Sequence, residues 1–241
     1  MYNNELNNYN NILLPQYNVS HSIYLNKKQE LETKLSITKY RKEQISEYFS
    51  KAIKPQKIKN EFIYSKGVTE KFFLNYLQEY FRDNVSTGLS VQDPKFIGNP
   101  YLPDYVISIP TINLYVDVEI DEPYIGHDGT PIHYLNGCDN YRNEFFLNKR
   151  WIIIRFAEIQ VVKFPEKCCE LINSTIDWIT TKEKDISTIK DQVEGYNCWT
   201  KEEAHRLAFT RFRNKYLPQK LSENLDSEIM ELERKFLNLN S

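Results

Sequence analysis

Four carboxylates stand out in the middle of the chain, Glu70, Asp104, Glu119 and Asp121, and Asp104 and Glu119 have the placement to hold a divalent metal. Asp104 opens one apolar run, and Glu119 and Asp121 close the next, with Pro110 and Thr111 between the two runs. A tight turn at 110–111 pairs the runs as a hairpin. Asp104 lies seven residues before Thr111 and Glu119 eight after it, so the two can sit across from each other. Opposed carboxylates repel, and a hard cation with oxygen ligands relieves the repulsion. Such a cation polarises a phosphodiester and lowers the pKa of an attacking water. In the second run Ile112, Leu114, Val116, Val118 and Ile120 alternate with Asn113, Tyr115, Asp117, Glu119 and Asp121. One strand face is therefore core, and the other presents three carboxylates in a row.

The elements that position these groups read in the order helix, weak strand, strand, strand, helix, strand. Thr69 can cap a helix that carries Phe72, Phe73, Tyr76, Leu77, Tyr80 and Phe81 on one side, with Glu70 in its first turn. A weak strand falls within 89–97, interrupted by Pro94, and clear strands follow at 104–109 and 112–121. A loop rich in glycine and proline leads to a helix over 139–148, whose apolar members are Tyr141, Phe145 and Phe146. Three consecutive isoleucines in 151–156 predict a buried, central strand. A further helix begins at Pro165 and runs to about residue 179. The fold class expected is α/β: a restriction-endonuclease-like core over 61–180, with a mixed central sheet flanked by helices. A polar extension over 1–60 precedes it, with a helix or helix pair at 28–53 ended by Pro55. After it come a charged linker at 181–194 and a helix from the Thr200–Glu203 capping box to about Tyr216. An amphipathic helix is expected over 223–237.

Composition narrows the function classes. At 241 residues, with 41% hydrophobic and 14% aromatic side chains, the chain can build one sizeable core. Seven glycines leave little for a glycine-rich phosphate cradle. No apolar run reaches membrane-span length, and the polar, Asn-rich start does not read as a secretory signal, so a cytoplasmic protein without membrane association is expected. On that reading Cys138, Cys168, Cys169 and Cys198 are reduced thiols; they lack zinc-site spacing, and one of the adjacent pair is expected to pack into a helix face. The net charge of −2 advertises no global field for nucleic acid. Lys51, Lys54, Lys57 and Lys59 nevertheless follow one another without an intervening acid, as a solvated face or a nucleic-acid-binding segment.

The segment Leu102-Pro103-Asp104, followed by Asp117-Val118-Glu119-Ile120-Asp121, resembles the PD-(D/E)XK nuclease superfamily. More narrowly, Val118-Glu119-Ile120-Asp121, then Asp139, Arg142 and the strand from Trp151 through Arg155-Phe156, resembles the very-short-patch-repair-like endonuclease branch. The likeness spans 67–162. It implies that Asp104, Glu119 and the backbone carbonyl of Ile120 bind Mg²⁺ or Mn²⁺, with Glu70 holding a metal-bound water or a second ion. The position of the family's lysine is taken by Asp121, which cannot bring positive charge to a phosphate. The related branch brings a histidine from the following loop, which makes His127 and His133 candidates for base or phosphate contact. Arg142 and Arg155 are candidates to stabilise developing negative charge, and Gln160 to point toward the site. The dull alternatives are surface histidines, an Arg142 bridge to Asp139 on its own helix, and an Arg155 paired with a buried acid.

The function this implies is a metal-dependent endonuclease hydrolysing DNA phosphodiesters, suited to restriction, antiviral defence, repair or mobile-element processing. RNA is left open as substrate, as are a homodimer and a protein partner bound through the terminal helices. The alternative is an altered nuclease-fold module that binds nucleic acid or protein without cleaving.

Overall fold

Strand and helix fall largely where the apolar patterning places them, in a computed structural model that describes residues 11, 14–58, 68–94, 100–126, 128–135, 137, 139–181 and 198–218. The chain divides into two compact units, Met1–Ile45 and Ser46–Ser241. The first contains most of α1 (Leu14–Ser50), a single helix longer than the 28–53 expected, with residues 20–40 all exposed.

The second unit is a mixed α/β structure. In chain order it contains β1 (Gln56–Lys57), α2 (Val68–Phe81), β2 (Val85–Ser86), β3 (Leu89–Ser90), β4 (Tyr105–Ile109), β5 (Leu114–Asp121), α3 (Asp139–Asn148) and β6 (Ile152–Ala157). Then follow α4 (Glu158–Lys163), α5 (Pro165–Thr181) and α6 (Lys201–Phe209). Four strands make one sheet in the order β2-β4-β5-β6, antiparallel except for the parallel β5–β6 pair, while β1 and β3 form a separate two-stranded sheet. β6 is therefore an edge strand among the described residues, not the central one expected. Its isoleucines are covered by helices on the faces but have no strand beyond them, and Ile152, Ile153 and Ile154 stay half-buried.

The hairpin turn is wider than two residues. Pro110–Ile112 form a 3-10 turn, and Asn113 closes it in the left-handed region at φ 56°, a conformation that asparagine tolerates better than most residues. Ile112 therefore leaves the strand, and Ile109 pairs with Leu114. Asn113 Nδ2 also donates to the Phe49 carbonyl at 2.9 Å, tying the turn to the end of α1.

Register decides which layer each strand residue meets. Tyr105 opposes Val118 and Ile107 opposes Val116, on the face covered by α2, where the Phe73 ring packs edge-on to Tyr105 and Phe156. Val106 opposes Asp117, on the face covered by α3. There Val91, Val106, Phe145, Phe146 and Trp151 form a closed core, with Tyr115 and Ile153 against it. The carboxylate face of β5 is thus a second interior rather than an open surface, and Asp117 is fully buried. Tyr141, expected on the apolar side of α3, is 77% exposed.

Other differences are local. Thr69 lies inside α2, not at its cap, and its hydroxyl donates to Glu158 Oε1 at 3.2 Å. The Thr200–Glu203 capping box forms in both directions, at 3.1 and 2.8 Å, but α6 ends at Phe209. Arg211 then takes a left-handed conformation at φ 47°, which no α-helix continues through, and a 3-10 turn covers Phe212–Lys215. The short helix α4, just after β6, had no separate signal in the sequence. Cys168 and Cys169 are both buried in α5 and Cys198 is exposed, all three unpaired. Cys138, most of the 181–194 stretch and the 223–237 helix lie outside the described residues. No helix among the described residues is long and apolar enough to cross a membrane.

Phe146 joins the second interior to both helix and strand: it is fully buried, 5.0 Å from the Trp151 ring and 5.8 Å from Tyr101. Phe146→Ala is expected to cost about 3–5 kcal/mol, read as a lowered urea midpoint with an unchanged slope.

Candidate functional site

Because Tyr105 pairs with Val118, the residue before β4 falls beside Glu119. The two segments then exchange contacts: the Asp104 amide donates to Glu119 Oε1 at 3.1 Å, and the Ile120 amide donates to Asp104 Oδ2 at 2.8 Å. Glu119 is 6% exposed and Asp104 half-buried. Burial, and then the Glu119 charge, push the Asp104 carboxyl up to about 7. Burial and neighbouring Asp117 hold Glu119 well above the usual carboxylate range.

Two arginines answer this charge from different elements. Arg142, from the first turns of α3, donates through Nη2 to Glu119 Oε1 at 2.5 Å and to Asp117 Oδ1 at 3.2 Å. Its Nη1 lies 2.8 Å from Asp117 Oδ2 but out of line for a hydrogen bond, so both atoms are buried without a directed partner. The contact is Coulombic only. Arg142 thus bridges to β5, not to Asp139 of its own helix, and its guanidinium lies 4.7 Å from the Phe146 ring centroid. Arg155, on β6 beside Glu119, grips Asp121 with both ends of its guanidinium, Nε–Oδ2 at 2.9 Å and Nη2–Oδ1 at 2.5 Å. Arg155 was expected to pair with a buried acid; its partner Asp121 is half-buried.

His133 reaches the same place from the loop, held at φ 51°. Its Nδ1 is 3.0 Å from Asp139 Oδ2 and 3.6 Å from Asp121 Oδ1, and its Nε2 is 4.0 Å from Glu122 Oε2. Burial alone would lower the imidazole pKa, yet the Asp139 hydrogen bond and the Asp121 charge leave it raised. An ionised Asp139 assigns the Nδ1 proton to that contact; Arg155 Nη2, 3.2 Å from the same nitrogen, is then a neighbour and not a donor. His133, Asp121, Arg155, Asp139, Asn143 and Gln160 line a cleft of about 140 Å³ at the ends of β5 and β6. Gln160 turns back to accept from the Ala157 amide at 2.9 Å.

The remaining sequence candidates stand apart. Glu70 lies at the start of α2, on the other side of the sheet, where its backbone carbonyl accepts from the Tyr105 hydroxyl. No three His, Cys, Asp or Glu side chains among the described residues converge as a ready metal-binding group, so Glu70 does not complete one with Asp104 and Glu119. Lys51, Lys54 and Lys57 are exposed and do not join the carboxylates. His127 and Lys59 lie outside the described residues.

A second buried acid escaped the sequence reading. Glu158, 1% exposed at the head of α4, accepts two bonds of 2.7 Å from Arg213, one of 2.7 Å from the Tyr216 hydroxyl and one from Thr69. Arg213 also donates to the Tyr124 carbonyl at 3.1 Å. Glu158 directly follows an apolar strand, which is a faint signal of burial. Arg213 had none, since it sits among other charged residues. The network anchors the segment carrying Trp199 and Cys198, which line both the cleft and a neighbouring cavity of about 190 Å³.

No protein-family model, curated protein or solved structure shows significant similarity to this chain.

Two outcomes test these charge arrangements. Arg213→Ala leaves Glu158 buried without its cation and should cost about 3–5 kcal/mol in chemical denaturation. For Asp104 the folded pKa is raised, so the native state binds its proton more tightly than the unfolded chain. Its stabilising contribution is present below about pH 4 and is lost as pH rises toward 7. With chelator present, Asp104→Asn should therefore melt higher relative to wild type at pH 8 than at pH 4.

Proposed function

We propose that the chain is a metal-dependent endonuclease with a restriction-endonuclease-like core, hydrolysing DNA phosphodiester bonds. The observation that carries this reading is the register that places Asp104 beside Glu119 at the end of β5, with both carboxyls raised by burial and by neighbouring acids. The donor set fits a hard divalent cation. Asp104, Asp117, Glu119, Asp121, Glu122 and Asp139 outnumber the cations Arg142, Arg155, His133 and Arg213 around them, and oxygen ligands suit Mg²⁺ or Mn²⁺.

Asp104, Glu119 and the Ile120 carbonyl would hold the ion. When bound, it supplies the charge that polarises the phosphodiester and acidifies a water. The rest falls to the protein's own groups. Arg155, beside Asp121 on the neighbouring strand, brings positive charge to the position where the resembled family has lysine. Arg142 holds Glu119 in place and offers a second cation to the charge developing on phosphate. His133, oriented by Asp139 and held toward its charged form by the surrounding acids, adds a cationic contact for the phosphate.

A second reading has an observation of its own. Arg142 already neutralises part of the Asp117–Glu119 pair, as expected of an altered site that binds nucleic acid or a partner protein without cutting.

Plasmid and single-strand cleavage in Mg²⁺ or Mn²⁺ separates the two. Wild type should cut, Asp104→Ala and Glu119→Ala should abolish cutting, and Arg155→Ala should lower the rate on the order of 10²-fold or more. No cleavage, together with no heat of metal binding by calorimetry, would leave the non-cleaving module as the reading.

A further inference from the structure

The end of the sheet opposite the carboxylates carries cations that the candidate site leaves unused. Along β6, Ala157 is level with Asp121 and Ile152 with Val116. Lys149 and Arg150 precede the Ile152 end, in the turn after α3. The segment that follows α1 comes alongside them. The Ile53 amide donates to the Lys149 carbonyl at 3.4 Å, and Trp151 Nε1 donates to the Ile53 carbonyl at 2.8 Å. Arg150 Nη1 donates to the Tyr48 carbonyl at 3.1 Å, with its guanidinium 4.3 Å from the Tyr48 ring centroid. Lys51 and Lys54 are exposed on this segment and Lys149 and Arg150 half-buried, Lys149 over the Phe145 ring, so the bonds of Ile53 bring together two pairs of cations about a hundred residues apart in sequence.

Two features distinguish the patch from ordinary solvated lysines. Every ion pair among the described residues uses other cations, so these four charges are not spent on carboxylates of the fold. Arg150 also has φ 63°, just past a helix end where glycine is the common occupant. An arginine there carries a backbone cost that glycine would avoid. The negative end of the α3 dipole favours cations at 149 and 150, but it does not account for Lys51 and Lys54.

We propose that Lys51, Lys54, Lys149 and Arg150 form a phosphate-binding patch for duplex DNA, gripping its backbone at a distance from the bond to be cut. The inference rests on the nuclease reading, which supplies the polyanion. Glu119 is level with Arg155, three residues along β6 from Ile152, roughly 10 Å at about 3.3 Å per residue. A duplex advances about 3.4 Å per base pair, so a duplex lying along β6 presents the patch with phosphates about three base pairs from the candidate metal site. Between them α3 exposes Glu144, Tyr141 and Leu147, so backbone contact is confined to the two ends of the helix.

The test is binding of the full chain to a labelled duplex of about two helical turns, by anisotropy at several KCl concentrations with chelator present to suppress cutting. Wild type should bind with a log–log salt dependence. The Lys51→Ala/Lys54→Ala/Arg150→Gly variant should lose at least tenfold in affinity at low salt and about 0.9 of slope for each phosphate contact removed. Arg150→Gly alone should weaken binding while its melting temperature holds or rises, because glycine suits that backbone; a purely structural arginine would show the reverse. Unchanged affinity and slope in the triple variant, tighter binding to duplex RNA of the same length, or no binding by wild type would each overturn the patch. Cleavage is scored apart. A chain that binds through these residues yet cuts nothing in Mg²⁺ keeps the patch and loses the nuclease, and cutting with unaltered binding in the triple variant does the opposite.

Discussion

A strand covered on both faces that carries three carboxylates on one of them folds only if cations come with it. β5 is such a strand, and the charge balance along Asp117, Glu119 and Asp121 is the constraint the rest of the second unit answers to. The isolated cost of burying such charges is several kcal/mol each, far more than a domain can leave uncompensated. Arg142 arrives from the helix above and Arg155 from the strand beside. Each is positioned by apolar packing next to it: Phe146 and Trp151 seat α3, and the isoleucines of β6 seat Arg155 against Asp121. The two interiors differ for this reason. The β5 face toward α2 presents only Leu114, Val116, Val118 and Ile120, all buried. The face toward α3 is apolar at one end of β5 and ionic at the other.

A similar device operates at the head of α4. Glu158, Arg213, Tyr216, Tyr124 and Thr69 form a closed hydrogen-bond network in which each oxygen of the Glu158 carboxylate has a donor. It recruits residues from the first helix of the second unit and from the segment after α6, two regions almost 150 residues apart in sequence. Satisfied in this way, a buried acid specifies where a distant segment docks; half satisfied, it would be worse than an apolar contact. Glu122 lies between the two networks, 4.0 Å from both His133 and Arg213, and burial together with Glu158 pushes its carboxyl up to about 8. The two ionic interiors are therefore electrostatically joined.

For the proposed chemistry, Glu119 is held by Arg142 and Asp104 by the Ile120 amide, so each candidate ligand is oriented by a partner. Orientation of this kind matters for a site whose work is positioning and electrostatic stabilisation. It also sets a competition, because Arg142 and a cation both draw on Glu119.

By itself the sequence determined the longer core elements and the β4–β5 pairing. The alternation from Leu114 to Asp121 is a strand under any tertiary arrangement, and the hairpin that brings Asp104 to Glu119 needs only that strand, its neighbour and a turn. The helix over 139–148 and the Thr200–Glu203 box are equally local, since capping and amphipathic periodicity act within a few residues. What lies above the carboxylates was decided only in three dimensions. Alternation shows that two faces differ but not that α3 covers the second, and a run of isoleucines does not distinguish a central strand from an edge strand packed between helices. Arg142 chose Asp117 and Glu119 over Asp139 because the packing of Phe146 and Trp151 aims it at the sheet. Arg213 found Glu158 because a left-handed Arg211 ends α6 early and turns the chain inward. Long-range ionic pairing leaves little trace in local sequence, since a charged residue looks the same whether water or a buried carboxylate receives it.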